Sequence, residues 1–464
     1  MKKISRRSFL KIAAMAGAAG ALSACGAASS ASAAASSAAS SAAASTASSA
    51  AASGKTMNIY CWNTEFQDRV KAYYPSYNAD TQMIGDIKVN WLITPSDNNA
   101  YQNALDEALT NPTDATKVDL FLCEADYAQK YTVDGVAMDV SKLLSADDMK
   151  DQYKYTQDVV TTDGVMRGIS WQACPGVVFY RRDIAKAVFG SDDPADVQAQ
   201  ISDWGKFDTA AAALKKGGYT ILPGYDDTYR AFSNNVSKAW VDGTKIQVDD
   251  QLTAWVEQTE NYTKSGFNNP YKLWAAEWGQ EAQKNSFCFF GPAWFLNFCL
   301  VGYTEATAEK DGGKAEVGNG TWGEWGACAG PAGYFWGGTW ICAAEGTEFT
   351  DTIADIMKTL CCDSKTMEQL AEDTLDFPNN KTAVNDLATT DKGNVAFLGG
   401  QNVYESMAAS AESISMDHIT IYDQGLNESF QTAYRDYFNG TVDKDTAYAN
   451  FVKSAQEKYP ELEG

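Results

Sequence analysis

Residues 57–93 read MNIYCWNTEFQDRVKAYYPSYNADTQMIGDIKVNWLI. The stretch opens on MNIYCW (57–62), a short apolar run of strand formers, and closes on a second, IKVNWLI (87–93). Between them, EFQDRVKAYYPSY has helical character until Pro75, whose ring cannot continue a helix. Downstream, NAYQNALDEALTN sets Tyr101, Ala104, Leu105, Ala108 and Leu109 at helical spacing. Ser96 or Asp97 is placed to cap this helix, and Asn111-Pro112 to end it. VDLFLC (118–123) is a third strand. The alternation predicts a βαβαβ unit, and so an α/β fold with a parallel sheet and right-handed crossovers.

Outward from this unit the pattern changes. VMRGISWQACPGVVFYRRD (165–183) reads as a strand, a Pro-Gly break and another strand. DWGKFDTAAAALKKGG puts Trp204, Phe207, Ala211 and Leu214 on one helical face and stops it at Gly217-Gly218. YTILPGY (219–225) is expected to be a strand and turn. The remainder is helical, interrupted by FCFFGPAWF (287–295) and GGTWICAA (337–344) as glycine-bearing strands. Near the end, Phe430, Ala433, Tyr434, Tyr437 and Phe438 form one helical face closed by Gly440. Phe451, Ala455, Tyr459 and Leu462 form the next.

The first residues are an address. MKKISRRSFLK is basic, and IAAMAGAAGAL is a short apolar run, below the ~20 residues of a spanning helix. Ser5-Arg6-Arg7-Ser8-Phe9-Leu10-Lys11 fits a twin-arginine export signal over residues 1–24. LSAC (22–25) resembles a bacterial lipobox, which implies cleavage before Cys25 and lipidation of its thiol. Each buried CH₂ of an acyl chain contributes about 0.8 kcal/mol to anchoring. Residues 25–55 are almost wholly Ala, Ser, Gly and Thr and read as a tether, with a reach of about 30 Å.

The formal charge is −23, or about −28 once the five basic residues ahead of Cys25 are gone. Such a surface repels nucleic acid and anionic membrane. The chain has 10 cysteines, and nine remain after Cys25, an odd number with no CxxC. Cys61, Cys123, Cys288, Cys299 and Cys342 lie in apolar runs and are expected to pack as small hydrophobes. One histidine, His418, argues against histidine-based metal sites and serine–histidine triads. No metal and no cofactor are expected.

In an open parallel sheet, ligands bind beyond the carboxyl ends of the strands. The first strand ends in Trp62-Asn63-Thr64-Glu65 and the third in Cys123-Glu124-Ala125-Asp126-Tyr127. If the two are neighbours, one mouth gathers Trp62, Asn63, Glu65, Glu124 and Asp126. Carboxylates and amides bond hydroxyls, and an indole covers the C–H face of a pyranose. The plainer alternative makes Trp62 a packing residue, and Glu65 and Asp126 first-turn helix acids. Aromatics beside glycine or proline breaks are further candidates: Trp171, Tyr225, Tyr229, Trp294, Trp336 and Trp340.

Over 56–464 the chain resembles the sugar-type extracellular solute-binding proteins (family 1), receptors of carbohydrate ABC importers. The matching landmarks are GVVFYRRD (176–183), WGKFDTAAAALKK (204–216) and FGPAWF (290–295), the last with Ala293 inserted into a Gly-Pro-Trp element. GPAGYFWGGTWICAAEGT (330–347), FPNNKTAV (377–384) and the tail DYFNGTVDKDTAYANFVKSAQEKYP follow in the family's order. Arg181-Arg182 stands where the family has Asn-Lys. The resemblance implies a periplasmic-binding-protein-like II fold, two discontinuous α/β lobes hinged about a ligand cleft. Crossovers are implied near 172–177, 337–341 and 375–380. Lobe one is then 56–173 plus 340–377, and lobe two 174–338 plus 378–464. The ligand set implied adds Trp171, Gln172, Asp227, Tyr229, Trp294, Trp336 and Thr339, with Gln401 and Asn402 in the loop GGQN. Trp336 is the indole expected at the cleft, whereas Trp340, inside an apolar strand, is expected to pack.

The function implied is capture of a sugar or oligosaccharide by a monomeric, exported receptor, lipid-anchored to the outer face of the cell membrane. Its partners would be the carbohydrate and the transmembrane subunits of an ABC permease. Two alternatives stay open. The same trap suits a polyamine or other cation, since the cleft is acidic and aromatic. A lipid-anchored glycoside hydrolase would use carboxylate pairs such as Glu65 with Asp126, or Glu124 with Asp227.

Overall fold

The computed structural model describes residues 55–304 and 317–464. The export signal, Cys25 and the tether up to Gly54 lie outside the described residues. Strand β1 (Thr56–Cys61) is followed by helix α1 (Glu65–Tyr73), strand β2 (Ile87–Ile93), helix α2 (Ala100–Thr110) and strand β3 (Leu120–Glu124). β1 pairs in parallel with β2 along its whole length, Thr56↔Lys88 through Cys61↔Ile93, and with β3 through Ile59↔Leu120. β1 and β3 are buried on both faces, as central parallel strands must be. The expected βαβαβ unit is therefore present.

Local details depart from expectation. α1 stops at Tyr73, and an antiparallel hairpin (Tyr77–Asn78 with Met83–Ile84) extends the sheet edge beyond β2. α2 starts one turn later than a Ser96 or Asp97 cap would place it: Asn98 and Asn99 adopt left-handed φ of 51° and 60° and kink the entry. Asparagine tolerates this conformation better than most residues.

Later strands complete the sheet and build a second. β4 (Ile169–Ser170), β5 (Val177–Arg181), β6 (Cys288–Gly291), β7 (Trp325–Cys328) and β8 (Thr339–Ala343) follow in order. β8 runs antiparallel beside β3, pairing Thr339↔Glu124 through Ala343↔Leu120, and β4 lies outside it. The first sheet thus has seven strands. β5 is the centre of a three-stranded antiparallel sheet between β6 and β7. YTILPGY forms only isolated bridges, Thr220↔Ser286 and Leu222↔Asn268, rather than a strand.

Three segments cross between the sheets side by side. Residues 171–176 bond to one neighbour through Ala173 N–H to Phe377 O (3.0 Å) and Asn379 N–H to Trp171 O (3.0 Å). They bond to the other through Gly176 N–H to Tyr334 O (2.7 Å) and Trp336 N–H to Cys174 O (3.2 Å). A Cβ on Gly176 would sit 2.1 Å from the Tyr334 ring, so only glycine fits there.

The C-terminal helices α3 (Asp423–Phe438) and α4 (Lys444–Lys458) pack as a pair. Phe430, Ala433, Tyr434 and Phe438 of α3 and Phe451 and Ala455 of α4 are buried together with Trp255. Tyr459 and Leu462 fall beyond the end of α4 yet join the same cluster. The five cysteines expected to pack are buried, and all nine described cysteines are free thiols.

Candidate functional site

A cavity of about 510 Å³ opens where the carboxyl ends of β1 and β3 face the second sheet. Its first wall follows from strand direction. β1 delivers Trp62, Asn63 and Glu65 to the cavity, and β3 delivers Glu124 and Asp126. Trp62 stands edge-on to Tyr101 (centroids 5.5 Å) and Tyr127 (6.4 Å), so it packs on one side and borders the cavity on the other. Asn63 Oδ1 accepts the Glu65 N–H (3.0 Å), which starts α1. Glu65 pairs with Arg69 one turn on (3.3 Å), and Arg69 also approaches Asp376 (3.8 Å).

Glu124 Oε2 accepts the Asp126 N–H (2.8 Å), capping the turn after β3. Burial pushes its carboxyl up to about 8, with Asp126 adding repulsion and Arg230 opposing it. Glu124 therefore caps the backbone and lines the cavity at once. Asp126 goes further: both its oxygens take a two-pronged bond from Arg230, 2.6 Å each, across to the opposite wall.

The second wall comes from segments distant in sequence. Asp227 and Tyr229 line it, as expected. Asp227 Oδ1 accepts the Trp278 indole N–H (3.0 Å), while Oδ2 has no hydrogen-bond partner among the described residues. Burial pushes its carboxyl up to about 8, against the lowering effect of the Trp278 donor. Tyr229 is held by Asn427 and by the edge of Trp255 (4.8 Å). Trp294 donates its indole N–H to the Trp336 carbonyl (2.8 Å). With Trp274 the two form a cluster whose ring centroids lie 5.2 to 6.4 Å apart.

The crossing at 336–339 joins the walls. Trp336 and Thr339 border the cavity, and Gly337 and Gly338 hold φ of 70° and 111°. A Cβ on Gly337 would come within 3.1 Å of Trp294 Nε1, and one on Gly338 within 3.2 Å of the Trp340 ring. The bare backbone thus lets both indoles approach. Trp340 turns away into the core, 1% exposed, and donates to Thr156 O (2.9 Å). Gln172 lies beneath this crossing. With its amide oriented to suit its neighbours it donates to Asp376 (2.9 Å) and accepts from the Thr339 N–H (3.2 Å).

Besides Trp340, four nominated residues stand apart from the cavity. Tyr225 packs against Phe438 of α3, ring centroids 5.7 Å apart. Trp171 is fully buried and stacks on Phe66 at 5.7 Å, because its strand turns that face into the first core. Gln401 bridges β7, accepting from Ala327 N–H (3.0 Å) and donating to Ala327 O (2.6 Å). Asn402 Nδ2 bonds Leu387 O (2.7 Å), and Oδ1 accepts the Tyr404 N–H (3.0 Å), so it secures a loop. Gln401 Oε1 also accepts from Arg182 (3.2 Å), and neither amide borders the cavity.

Several cavity residues escaped the sequence reading. Arg230 follows Tyr229 directly and is the one cation in an acidic run, a signal that was present. Trp274 sits in NNPYKLW, an aromatic beside a proline break, and carries a left-handed φ of 69°. That conformation is unusual for a bulky residue and concentrates at binding sites. Gln424, Glu428 and Gln431 of α3 also line the cavity, one helical face at spacings of four and three.

A family model for bacterial extracellular solute-binding proteins matches residues 72–396. A twin-arginine translocation signal model matches residues 3–23, in agreement with the export reading. A search of curated protein sequences returns no match. Among solved structures, an extracellular solute-binding protein of family 1 aligns at TM-score 0.70 and 15% identity, covering 87% of this chain and 99% of that one. The sugar-binding protein MalE of Xanthomonas citri aligns at 0.63 and 13%, covering 88% and 100%. An ABC-transporter-associated binding protein of B. animalis subsp. lactis, in complex with β-1,6-galactobiose, aligns at 0.62 and 15%, covering 88% and 99%. The fold is the two-lobed α/β fold of these proteins, with the cavity between the lobes. By its sequence, the chain belongs to the bacterial extracellular solute-binding proteins.

Proposed function

We propose that this protein captures a sugar or oligosaccharide between its lobes and delivers it to the permease of an ABC importer. The observation that carries the reading is the cavity itself. It is walled by both sheets, lies within the roughly 300–1,000 Å³ usual for small-ligand sites, and sets indole faces beside carboxylates and amides. Solved proteins of the same fold support it: their bound ligands include β-1,6-galactobiose, lacto-N-biose and α-D-tagatose.

In this reading the lobes are 56–173 plus 340–377 and 174–338 plus 378–464, and the three paired crossings act as the hinge. The ligand shifts the population toward the closed form because it touches both walls only there. Trp62, Asn63, Glu65, Glu124, Asp126, Gln172, Asp227, Tyr229, Trp294, Trp336 and Thr339 form the contact set. Asp126–Arg230 adds a direct clasp between the walls. The receptor works as a monomer, exported and held to the outer face of the membrane by lipid on Cys25.

Of the two carboxylate pairs a hydrolase could use, Glu65 with Asp126 is committed elsewhere, Glu65 to Arg69 and Asp126 to Arg230; Glu124 with Asp227 has no salt bridge among the described residues, so product release is the outcome that separates the two readings. A thermal-shift screen of mono- and oligosaccharides tests the reading. A ligand that binds only the folded chain raises its melting temperature, by RT ln(1 + [L]/Kd) in free energy. Stabilisation by a saccharide is expected. No stabilisation by any saccharide, or release of cleaved product, would overturn it.

A further inference from the structure

The cavity's charges do not balance. Eight carboxylates line it (Glu65, Asp68, Glu124, Asp126, Asp226, Asp227, Asp373 and Glu428) against two arginines and no lysine. Four of the eight have a cation at hand. Glu65 meets Arg69 (3.3 Å), Asp126 meets Arg230 (2.6 Å), Asp226 meets Arg435 (3.0 Å) and Glu428 meets Lys458 (2.8 Å). Asp68 and Asp373 are exposed, where water screens them. Glu124 and Asp227 remain, one on each wall.

Neither Glu124 nor Asp227 makes a salt bridge among the described residues; Asp227 is buried and Glu124 half-buried. Asp227 is 6% exposed, and its Oδ2 has no hydrogen-bond partner. An interior carboxylate without a cation is costly when ionised. Burial accordingly raises both carboxyls. Four indoles, Trp62, Trp274, Trp294 and Trp336, border the same space and offer negative ring faces to a cation. The rest of the lining is uncharged and includes groups suited to hydroxyls, among them Asn63, Gln102, Gln172, Thr339, Gln424 and Gln431.

We propose that the ligand is a saccharide bearing at least one protonated amine, neutralised by Glu124 or Asp227. This rests on the saccharide reading above and names its chemical class. A neutral sugar would satisfy the amides and the indoles but bring neither carboxyl a cation, so both would stay protonated. A bare polyamine would satisfy the carboxylates but leave the amide-rich lining without hydroxyl partners.

The test is calorimetric titration of the protein at pH 7.0 with three sets of probes. These are glucosamine and its β-1,4-linked dimer, their N-acetylated counterparts, and spermidine. Acetylation removes the charge and keeps the ring. The amine-bearing sugars are expected to bind at least about tenfold more tightly than the acetylated ones, a difference of about 1.4 kcal/mol. In Glu124→Gln/Asp227→Asn the ratio should fall toward one, with circular dichroism confirming the fold. The wild-type ratio decides alone should that variant not fold. Equal or tighter binding of the acetylated sugars overturns this inference and leaves the saccharide reading standing. Binding of spermidine alone overturns both, and binding of none of the probes overturns this inference.

Discussion

The two walls of the cleft are built on different principles. The first is made of strand ends: Trp62 to Glu65 follow β1 directly and Glu124 to Asp126 follow β3, so the sheet sets their positions. The second is assembled from residues 226–230, 273–274, 290–298 and one face of α3. Its side chains are held by one another, through Trp278 on Asp227, Asn427 on Tyr229 and the Trp274–Trp294–Trp336 cluster. A wall made of strand ends keeps its place through the backbone; one made of packed side chains depends on their contacts with one another. At the crossing, residues 336–340, a cavity-lining indole and a core indole stand four positions apart.

The sharpest contrast is between its two tryptophans. Trp340→Ala empties a fully buried site and removes a bond to Thr156, and should cost about 3–5 kcal/mol of stability by urea denaturation. Trp336→Ala, 9% exposed with one side open to the cavity, should cost less, about 2–3 kcal/mol, while weakening ligand binding by at least about tenfold. Equal effects of the two on stability and affinity would erase the distinction.

Next comes the clasp. Arg230→Gln leaves Asp126 partly buried and unpaired, for a stability loss of about 2–3 kcal/mol. Asp126→Asn in the same chain should restore most of it, because the cost belongs to the orphaned charge. Additive losses in a double-mutant cycle would mean the two residues do not act as a pair.

A smaller effect comes from pH. Burial raises Glu124 and Asp227 to about 8 and Asp376 to about 7, for the last against the lowering influence of Arg69. Unfolded carboxyls titrate near 4. Between those limits the folded chain binds more protons than the unfolded one, so stability falls as pH rises. The melting temperature should be higher at pH 5.5 than at pH 8.5, and Glu124→Gln/Asp227→Asn should flatten that slope. A rising trend over the same range would contradict it. Smallest is Gln401→Ala, which loses a bridge to Ala327 worth about 1 kcal/mol and should leave ligand affinity unchanged.

The same contrast between walls marks what the sequence made legible. Strand ends are local features, so Trp62, Asn63, Glu65, Glu124 and Asp126 could be read from apolar runs and the residues following them. The crossings near 172–177, 337–341 and 375–380 were legible only through the family resemblance. The second wall depends on contacts across hundreds of residues, and there the reading was partial. Asp227, Tyr229, Trp294 and Trp336 were reached through aromatic breaks and family landmarks. Arg230, Trp274 and the polar face of α3 were passed over, although charge contrast, a proline break and helical periodicity each marked them. Gln401 and Asn402 were misread because an amide in a loop gives no sign, in one dimension, of whether it faces a ligand or its own backbone.

Four tryptophans line the cavity, so saturating it should change their emission. Titration of intrinsic tryptophan fluorescence with saccharides is therefore the most direct measurement of whether this cleft holds a sugar. The expected result is a saturable change with at least one saccharide, lost in Trp336→Ala and kept in Gln401→Ala. A signal that stays flat across the saccharides, or one that saturates equally well in Trp336→Ala, would contradict the account.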